Sequence, residues 1–175
     1  MQVERIEEMR LTQVDEEQIG ALLDRAFGAD YEGRSYYQQR HHVRLIMRAG
    51  TEILGHIALS LWATRMDEQI VQVAGLAEVG TDPHYRGKGI ATKLMAAAIQ
   101  EARASVASFV ALFGDQPLYA GSGFMTKRNI LRFTPFIDVR TVSIKEVAKE
   151  GLMILPLTDL TWDDDALIDL AGHAF

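Results

Sequence analysis

One stretch constrains the chain more than any other: Val79-Gly80-Thr81-Asp82-Pro83-His84-Tyr85-Arg86-Gly87-Lys88-Gly89-Ile90-Ala91-Thr92. A strand-like run from Ile70 to Thr81 stops, a basic loop with two glycines follows, and helical spacing begins at once with Ile90, Leu94, Met95, Ala98, Ile99 and Ala102. The first turn of a helix leaves backbone N–H groups without internal acceptors and forms the positive end of its dipole. Glycine at 87 and 89 lets the backbone close around an anion, and Arg86 and Lys88 add formal charge. A phosphate or pyrophosphate is the natural guest of such a loop. Two common phosphate motifs fail here. A Walker loop is broken at Asp82 and Gly89, and a dinucleotide fingerprint lacks its third glycine because position 92 is Thr. By itself the loop reads equally well as an ordinary basic turn ahead of a helix.

The surrounding pattern predicts a mixed α/β (α+β) fold with a mostly antiparallel central sheet and helices on both faces. Met9 to Val14 reads as a first strand, followed by a helix capped by Asp15 and running to Phe27, with Gln18 as capping-box partner. Val43, Leu45 and Met47 alternate, and turns at Ala49-Gly50-Thr51 and Met66-Asp67-Glu68-Gln69 flank a strand from Ile53 to Thr64. Ser108 to Phe113 is a continuous apolar run, the pattern of a strand buried on both faces. A short helix over Gln116 to Ala120 and strands over Ile130 to Phe133 and Leu152 to Leu155 complete the prediction. The 175 residues fit one domain spanning 1–175. Without cysteine, disulfides, thiolate metal sites and cysteine nucleophiles are excluded, and no metal is expected. The net charge of −6 and the lack of a basic stripe argue against nucleic-acid binding. The charged start is no signal peptide and no stretch is long enough to span a bilayer, so the expectation is a cytoplasmic protein without membrane partners.

Arg86-Gly87-Lys88-Gly89-Ile90-Ala91 resembles the Arg/Gln-x-x-Gly-x-Gly/Ala motif of the GCN5-related N-acetyltransferases, the GNAT superfamily. Tyr119-Ala120-Gly121-Ser122-Gly123-Phe124 resembles that family's Tyr-x-x-x-Gly-Phe segment at the matching interval. The resemblance implies the acyl-CoA N-acyltransferase fold, acetyl-coenzyme A as co-substrate, and transfer of acetyl to a primary amine. It implies cofactor contacts at Val79, Gly80, Thr81, Arg86, Gly87, Lys88, Gly89, Ile90, Ala91 and Thr92, and, by analogy, a homodimer. Arg25 to Tyr31 and Met153 to Leu157 look most similar to aminoglycoside 2′-N-acetyltransferases and more distantly to NodA-type acyltransferases, which points to Asp30 and Phe175 as acceptor-binding residues. The chain departs from the aminoglycoside enzymes at Ser35, Ala77 and His173, where their acids stand, and ends in Phe175 rather than Trp.

Acetyl transfer requires a neutral amine, donors for the developing oxyanion, and a proton for the departing thiolate. Backbone N–H groups around Val79 to Thr81 are the oxyanion candidates if Gly80 makes a bulge; the alternative is that Gly80 only relieves packing against a helix. Tyr119 corresponds to the family's general acid; otherwise it is a half-buried aromatic. Glu78 is a candidate base or, with equal weight, a hydrogen-bonded carboxylate, with water or the neutral minority amine doing without it. Asp163-Asp164-Asp165 reads as a helix start. His56 reads as a strand histidine with a satisfied hydrogen bond, and the adjacent His41 and His42 face opposite ways. A protein or peptide N-acetyltransferase and a non-catalytic coenzyme A-binding regulatory module stand as alternatives.

Overall fold

Thr12, not Asp15, caps the first helix. Its hydroxyl accepts the N–H of Asp15 (3.2 Å), and the Asp15 carboxylate accepts the Thr12 N–H (2.9 Å), so two orphan donors are satisfied reciprocally. Helix α1 therefore covers Gln13–Phe27, and the strand predicted over Met9 to Val14 is absent. The first strand lies earlier, β1 at Val3–Glu7, followed by a 3-10 turn at Glu8–Arg10. Gln18 takes no part in the cap; it accepts a hydrogen bond from Arg48 at 2.9 Å.

The computed structural model describes residues 2–28 and 31–174. Its remaining elements are β2 (Val43–Ala49), β3 (Glu52–Met66), β4 (Gln69–Thr81), α2 (Ile90–Arg103), β5 (Phe109–Phe113), α3 (Pro117–Gly121), β6 (Met125–Thr126), β7 (Ile130–Phe133), β8 (Phe136–Ile137), β9 (Arg140–Thr141), β10 (Lys145–Ala148), β11 (Leu152–Pro156) and β12 (Ile168–Asp169). The chain divides into two compact units, Met1–Leu59 with Ala77–Gln100, and Ser60–Leu76 with Glu101–Phe175, so β3 and β4 each supply residues to both.

In the first unit β1 runs antiparallel to β2 (Val3↔Met47 to Glu7↔Val43), and β2 runs antiparallel to β3 from Val43↔Leu59. The turn between β2 and β3 holds Gly50 at φ 61°, a left-handed geometry that suits a residue without Cβ. Helix α1 buries Ile19, Leu22 and Leu23 against Ile46, Ile53 and Tyr31. The first turn of α2 lies directly on β3. A Cβ on Gly55 would stand 2.4 Å from Ile90 and 2.8 Å from Leu94, so only glycine lets this helix end come so near.

In the second unit the strand order is β10-β7-β12-β3-β4-β5-β11-β6. Strand β5 pairs parallel to β4 (Val73↔Phe109) and antiparallel to β11 (Phe113↔Leu152). It is buried almost throughout, as its unbroken apolar run requires. The short strand β12 pairs parallel to β7 and antiparallel to β3, making the sheet mixed. A core of Met66, Val73, Phe109, Leu131, Ile154 and Trp162 fills this unit. Asp163, Asp164 and Asp165 do not open a helix; they form a bend before β12, with the Asp163 carboxylate accepting the Asp165 N–H at 2.9 Å. Among the described residues no helix is long and apolar enough to cross a membrane.

Candidate active site

The basic loop is built from α1, β4 and α2. Asp82 follows β4 directly and is buried. Its N–H donates to the Leu54 carbonyl (2.9 Å), one carboxylate oxygen accepts the His84 N–H (2.9 Å), and the other pairs with Arg25 Nε of α1 (2.8 Å). Burial opposes ionisation of Asp82, but the His84 N–H and the Arg25 guanidinium outweigh it and hold the carboxyl below the usual range. The carboxylate thus folds the loop's first corner, with Pro83 opening a 3-10 turn that ends at Tyr85.

Beyond that corner Gly87 and Gly89 both sit at φ 75°, and a Cβ at either would meet nothing within 4 Å. These two glycines face open space with left-handed backbones, the condition for N–H groups to converge on a guest. The Gly89 carbonyl accepts the Lys93 N–H (3.1 Å), which makes Gly89 the residue that caps α2. The N–H groups of Ile90, Ala91 and Thr92 accordingly have no acceptor one turn earlier. The first turn of α2 contains no acidic side chain. Instead the exposed Arg86 and Lys88 precede it, Lys88 Nζ resting 4.3 Å from the Tyr85 ring centroid. Cations at the positive end of a helix are unfavourable alone and become favourable around an anion. A pyrophosphate suits this end of α2.

Strand β4 departs from regular geometry two positions before the expected place, Gly80. Glu78, a non-glycine residue inside the strand, has φ 54°, while Gly80 is not left-handed. A single left-handed residue in a strand breaks its alternation, as at a β-bulge. A Cβ on Gly80 would approach the Phe27 ring to 3.3 Å and Leu23 to 3.5 Å, so that glycine makes room for α1. Of the two readings offered for Gly80, the packing role is the one seen, and the backbone irregularity belongs to Glu78.

The Glu78 side chain is 4% exposed and fully engaged. One carboxylate oxygen accepts the Tyr37 N–H (2.8 Å) and lies 3.1 Å from His41 Nε2; the other accepts from Arg44 Nη1 (3.0 Å). Burial raises the cost of ionising it, but His41, His56 and Arg44 more than compensate and hold the carboxyl below the ordinary glutamate range. A carboxylate so occupied is a weak proton acceptor. Arg44 itself is wholly buried and makes a two-pronged pair with Glu8 (Nε 2.7 Å, Nη2 3.0 Å). Its Nη1 also reaches the Ser35 carbonyl (2.7 Å) and His56 Nε2 (3.1 Å). His56 is buried and its Nδ1 lies 2.9 Å from the Glu78 carbonyl. Burial, then the Arg44 charge, push the imidazole down to about 4. His41 is buried and His42 exposed, as adjacent extended residues would be. The Arg44 cluster could not be read from sequence; its signal, an arginine with apolar neighbours on either side (Val43, Leu45, Ile46, Met47), is visible only in retrospect.

In the second unit Tyr119 lies on α3, 7% exposed. The Cε2 edge of its ring points at the residue that follows β5, where a Cβ on Gly114 would stand 2.5 Å from Tyr119 Cε2. The Phe124 ring meets it edge-on at 6.4 Å. Burial and the nearby Asp115 charge raise the phenol above its usual range, which keeps it protonated and able to donate. The remaining candidates, Asp30 and Phe175, lie outside the described residues. Among the described residues no group of three His, Asp or Glu side chains stands close enough to hold a metal ion.

The family model described as the acetyltransferase (GNAT) domain matches residues 8–126. The chain belongs to the GNAT family of N-acetyltransferases. Solved structures agree on the fold. A GNAT family N-acetyltransferase (YhbS) from Escherichia coli, in complex with CoA, is 19% identical, with a TM-score of 0.65 over 97% of this chain and 88% of that one. A GNAT family acetyltransferase from Brucella melitensis, in complex with acetyl-CoA, is 18% identical, with a TM-score of 0.62 over 94% of each chain. An acyl-CoA N-acyltransferase from Pseudomonas aeruginosa is 15% identical, with a TM-score of 0.59 over 87% of this chain and 97% of that one. No curated protein sequence matches the chain significantly.

Proposed function

We propose that the protein transfers the acetyl group of acetyl-coenzyme A to a primary amine of a small molecule. The observation that carries this reading is the acid-free, glycine-lined start of α2 with Arg86 and Lys88 beside it, a socket for the diphosphate of the co-substrate. The co-substrate supplies the activated thioester. The chain's N–H groups between Arg86 and Thr92 hold the diphosphate, and those of Val79, Gly80 and Thr81 stabilise the developing oxyanion. The amine nitrogen bonds to the carbonyl carbon, the carbon–sulfur bond breaks, and the thiolate takes the Tyr119 proton. Glu78 is read as the hydrogen-bonded carboxylate, since both its oxygens are occupied; the amine reacts in its neutral minority form and loses its proton to water.

An amine-binding side is supported by the row of rings Phe27, Tyr31 and Tyr37, with centroid separations of 5.7 and 5.8 Å. Its two ends, Phe27 and Tyr37, are 47% and 52% exposed. Aromatic faces attract ammonium groups, and Asp30, between Phe27 and Tyr31 in the sequence, would add charge. An aminoglycoside- or polyamine-like acceptor is the proposed class.

The test pairs a thermal shift with acetyl-coenzyme A and an acceptor screen that follows free thiol. Stabilisation by the co-substrate with thiol release on small polyamines is the expected result. Release only on peptides would move the assignment to a protein N-acetyltransferase, and stabilisation with no release on any amine would favour a coenzyme A-binding regulatory module. Tyr119→Phe should keep co-substrate affinity and lose about 10²–10⁴-fold in kcat; unchanged turnover would remove Tyr119 from the mechanism.

A further inference from the structure

Glu78 is held at both of its ends. Its carboxylate is tied to Arg44, His41 and the Tyr37 N–H, and its carbonyl faces His56 Nδ1. The polarity of the carbonyl contact is forced. A peptide carbonyl can only accept, so His56 Nδ1, 2.9 Å from the Glu78 oxygen, must carry a proton, while Nε2 turns its lone pair to Arg44 Nη1 (3.1 Å), whose two protons also serve the Ser35 carbonyl and the Glu78 carboxylate. The ring then carries its single proton on Nδ1, the nitrogen 2.9 Å from the Glu78 carbonyl, and donates it there. The left-handed φ of 54° at Glu78 is costly for a residue with a Cβ and persists only where surroundings over-determine it. Here the surroundings are two side chains of neighbouring strands, both fully buried: Arg44 of β2 and His56 of β3.

We propose that Arg44 and His56 are positioning residues for acyl transfer, gripping Glu78 by carboxylate and carbonyl, keeping this one strand residue left-handed, and so aiming the N–H groups of Val79, Gly80 and Thr81. The proposal rests on the reading above, in which those N–H groups receive the thioester carbonyl. It accounts for features that neither packing nor base catalysis explains. A wholly buried arginine is expensive, and a hydrophobic residue of similar size would serve packing better. A glutamate meant to take a proton would not have both oxygens occupied. A histidine fixed in one tautomer by a cation on one side and a peptide carbonyl on the other is a rigid, directional donor. Burial first, then the Arg44 charge with a smaller push from His41, outweigh the opposing Glu78 carboxylate and leave the ring neutral.

Two measurements test this. Two-bond proton–nitrogen correlations of the labelled imidazoles should show His56 as the Nδ1–H tautomer without added ligand; the Nε2–H tautomer, or a protonated ring at neutral pH, would overturn the proposal. Backbone proton–nitrogen spectra should then show the Val79, Gly80 and Thr81 amides shifting when acetyl-coenzyme A is added. In His56→Leu those shifts should shrink and kcat should fall about tenfold or more, with KM for acetyl-coenzyme A within about twofold. His56→Asn, whose side-chain amide can replace the Nδ1 donor, should restore both. Equal shifts in wild type and in folded His56→Leu would sink the grip alone. Absence of any shift at these amides in the wild type, with the co-substrate bound, would instead sink the docking reading on which it rests.

Discussion

Arg44, in the first unit, and Asn129, in the second, are both buried polar side chains on which several segments converge. Asn129 is neutral. Its amide donates to the carbonyls of Asp163 and Ala166, both at 2.9 Å, and its oxygen accepts the Trp162 indole N–H at 2.9 Å. Every partner is uncharged, and the result is a stapled bend. Arg44 gathers two carboxylates, a carbonyl and a histidine in an interior that penalises each ion, so its net contribution to stability is small while the loss on breaking it is large. The neutral cluster suits a fixed turn. The charged one makes sense where geometry, rather than stability, is being specified.

Four measurements would break or sharpen that contrast. Arg44→Leu removes the cation that Glu8 and Glu78 share, leaving Glu8 with Arg40 alone and the buried Glu78 with His41, and should destabilise by about 3–5 kcal/mol in denaturant unfolding; a cost below that of the Asn129 variant would undo the distinction. The next effect is in pH. His56 titrates near its ordinary value in the unfolded chain and at about 4 when folded, so between these values only the unfolded chain binds the proton. Stability should therefore be complete above about 6.5 and fall by up to ~3 kcal/mol as pH drops to about 4. Glu8, Glu78 and Asp82, whose carboxyls are held low, add loss on the same acid side, so His56→Asn should flatten the upper part of this limb only. Asn129→Ala strands two carbonyls and an indole N–H and should cost about 1–3 kcal/mol, with no dependence on pH between 5 and 8. Thr12→Ala removes one half of a reciprocal cap and should cost about 1 kcal/mol by thermal melting.

What could be read in advance follows from how local each signal is. The loop from Asp82 to Thr92 was legible because glycine, charge and helix onset are neighbours in the chain. The long strands β3 and β4 and helices α1 and α2 were legible from period. The start of α1 was misplaced because Thr12 and Asp15 are both good caps, and only the reciprocal hydrogen bonds choose between them. Short strands such as β12, two residues long, carry no pattern of their own and exist because Met66 and Leu131 offer free edges to Ile168. The irregularity in β4 was anticipated but assigned to Gly80, the residue that tolerates it most cheaply. It sits at Glu78 because Arg44 and His56, 34 and 22 positions earlier, hold it there; no window along the sequence contains all three.

The start of α2 carries a practical consequence. With two cations stacked at the helix's electropositive tip and no carboxylate to offset them, the free protein will recruit whatever oxyanion the solution offers. Inorganic phosphate or sulfate in a buffer would then act as a competitor, raising the apparent KM for the nucleotide thioester while leaving the maximal rate alone, and the choice of assay salt becomes part of the enzymology.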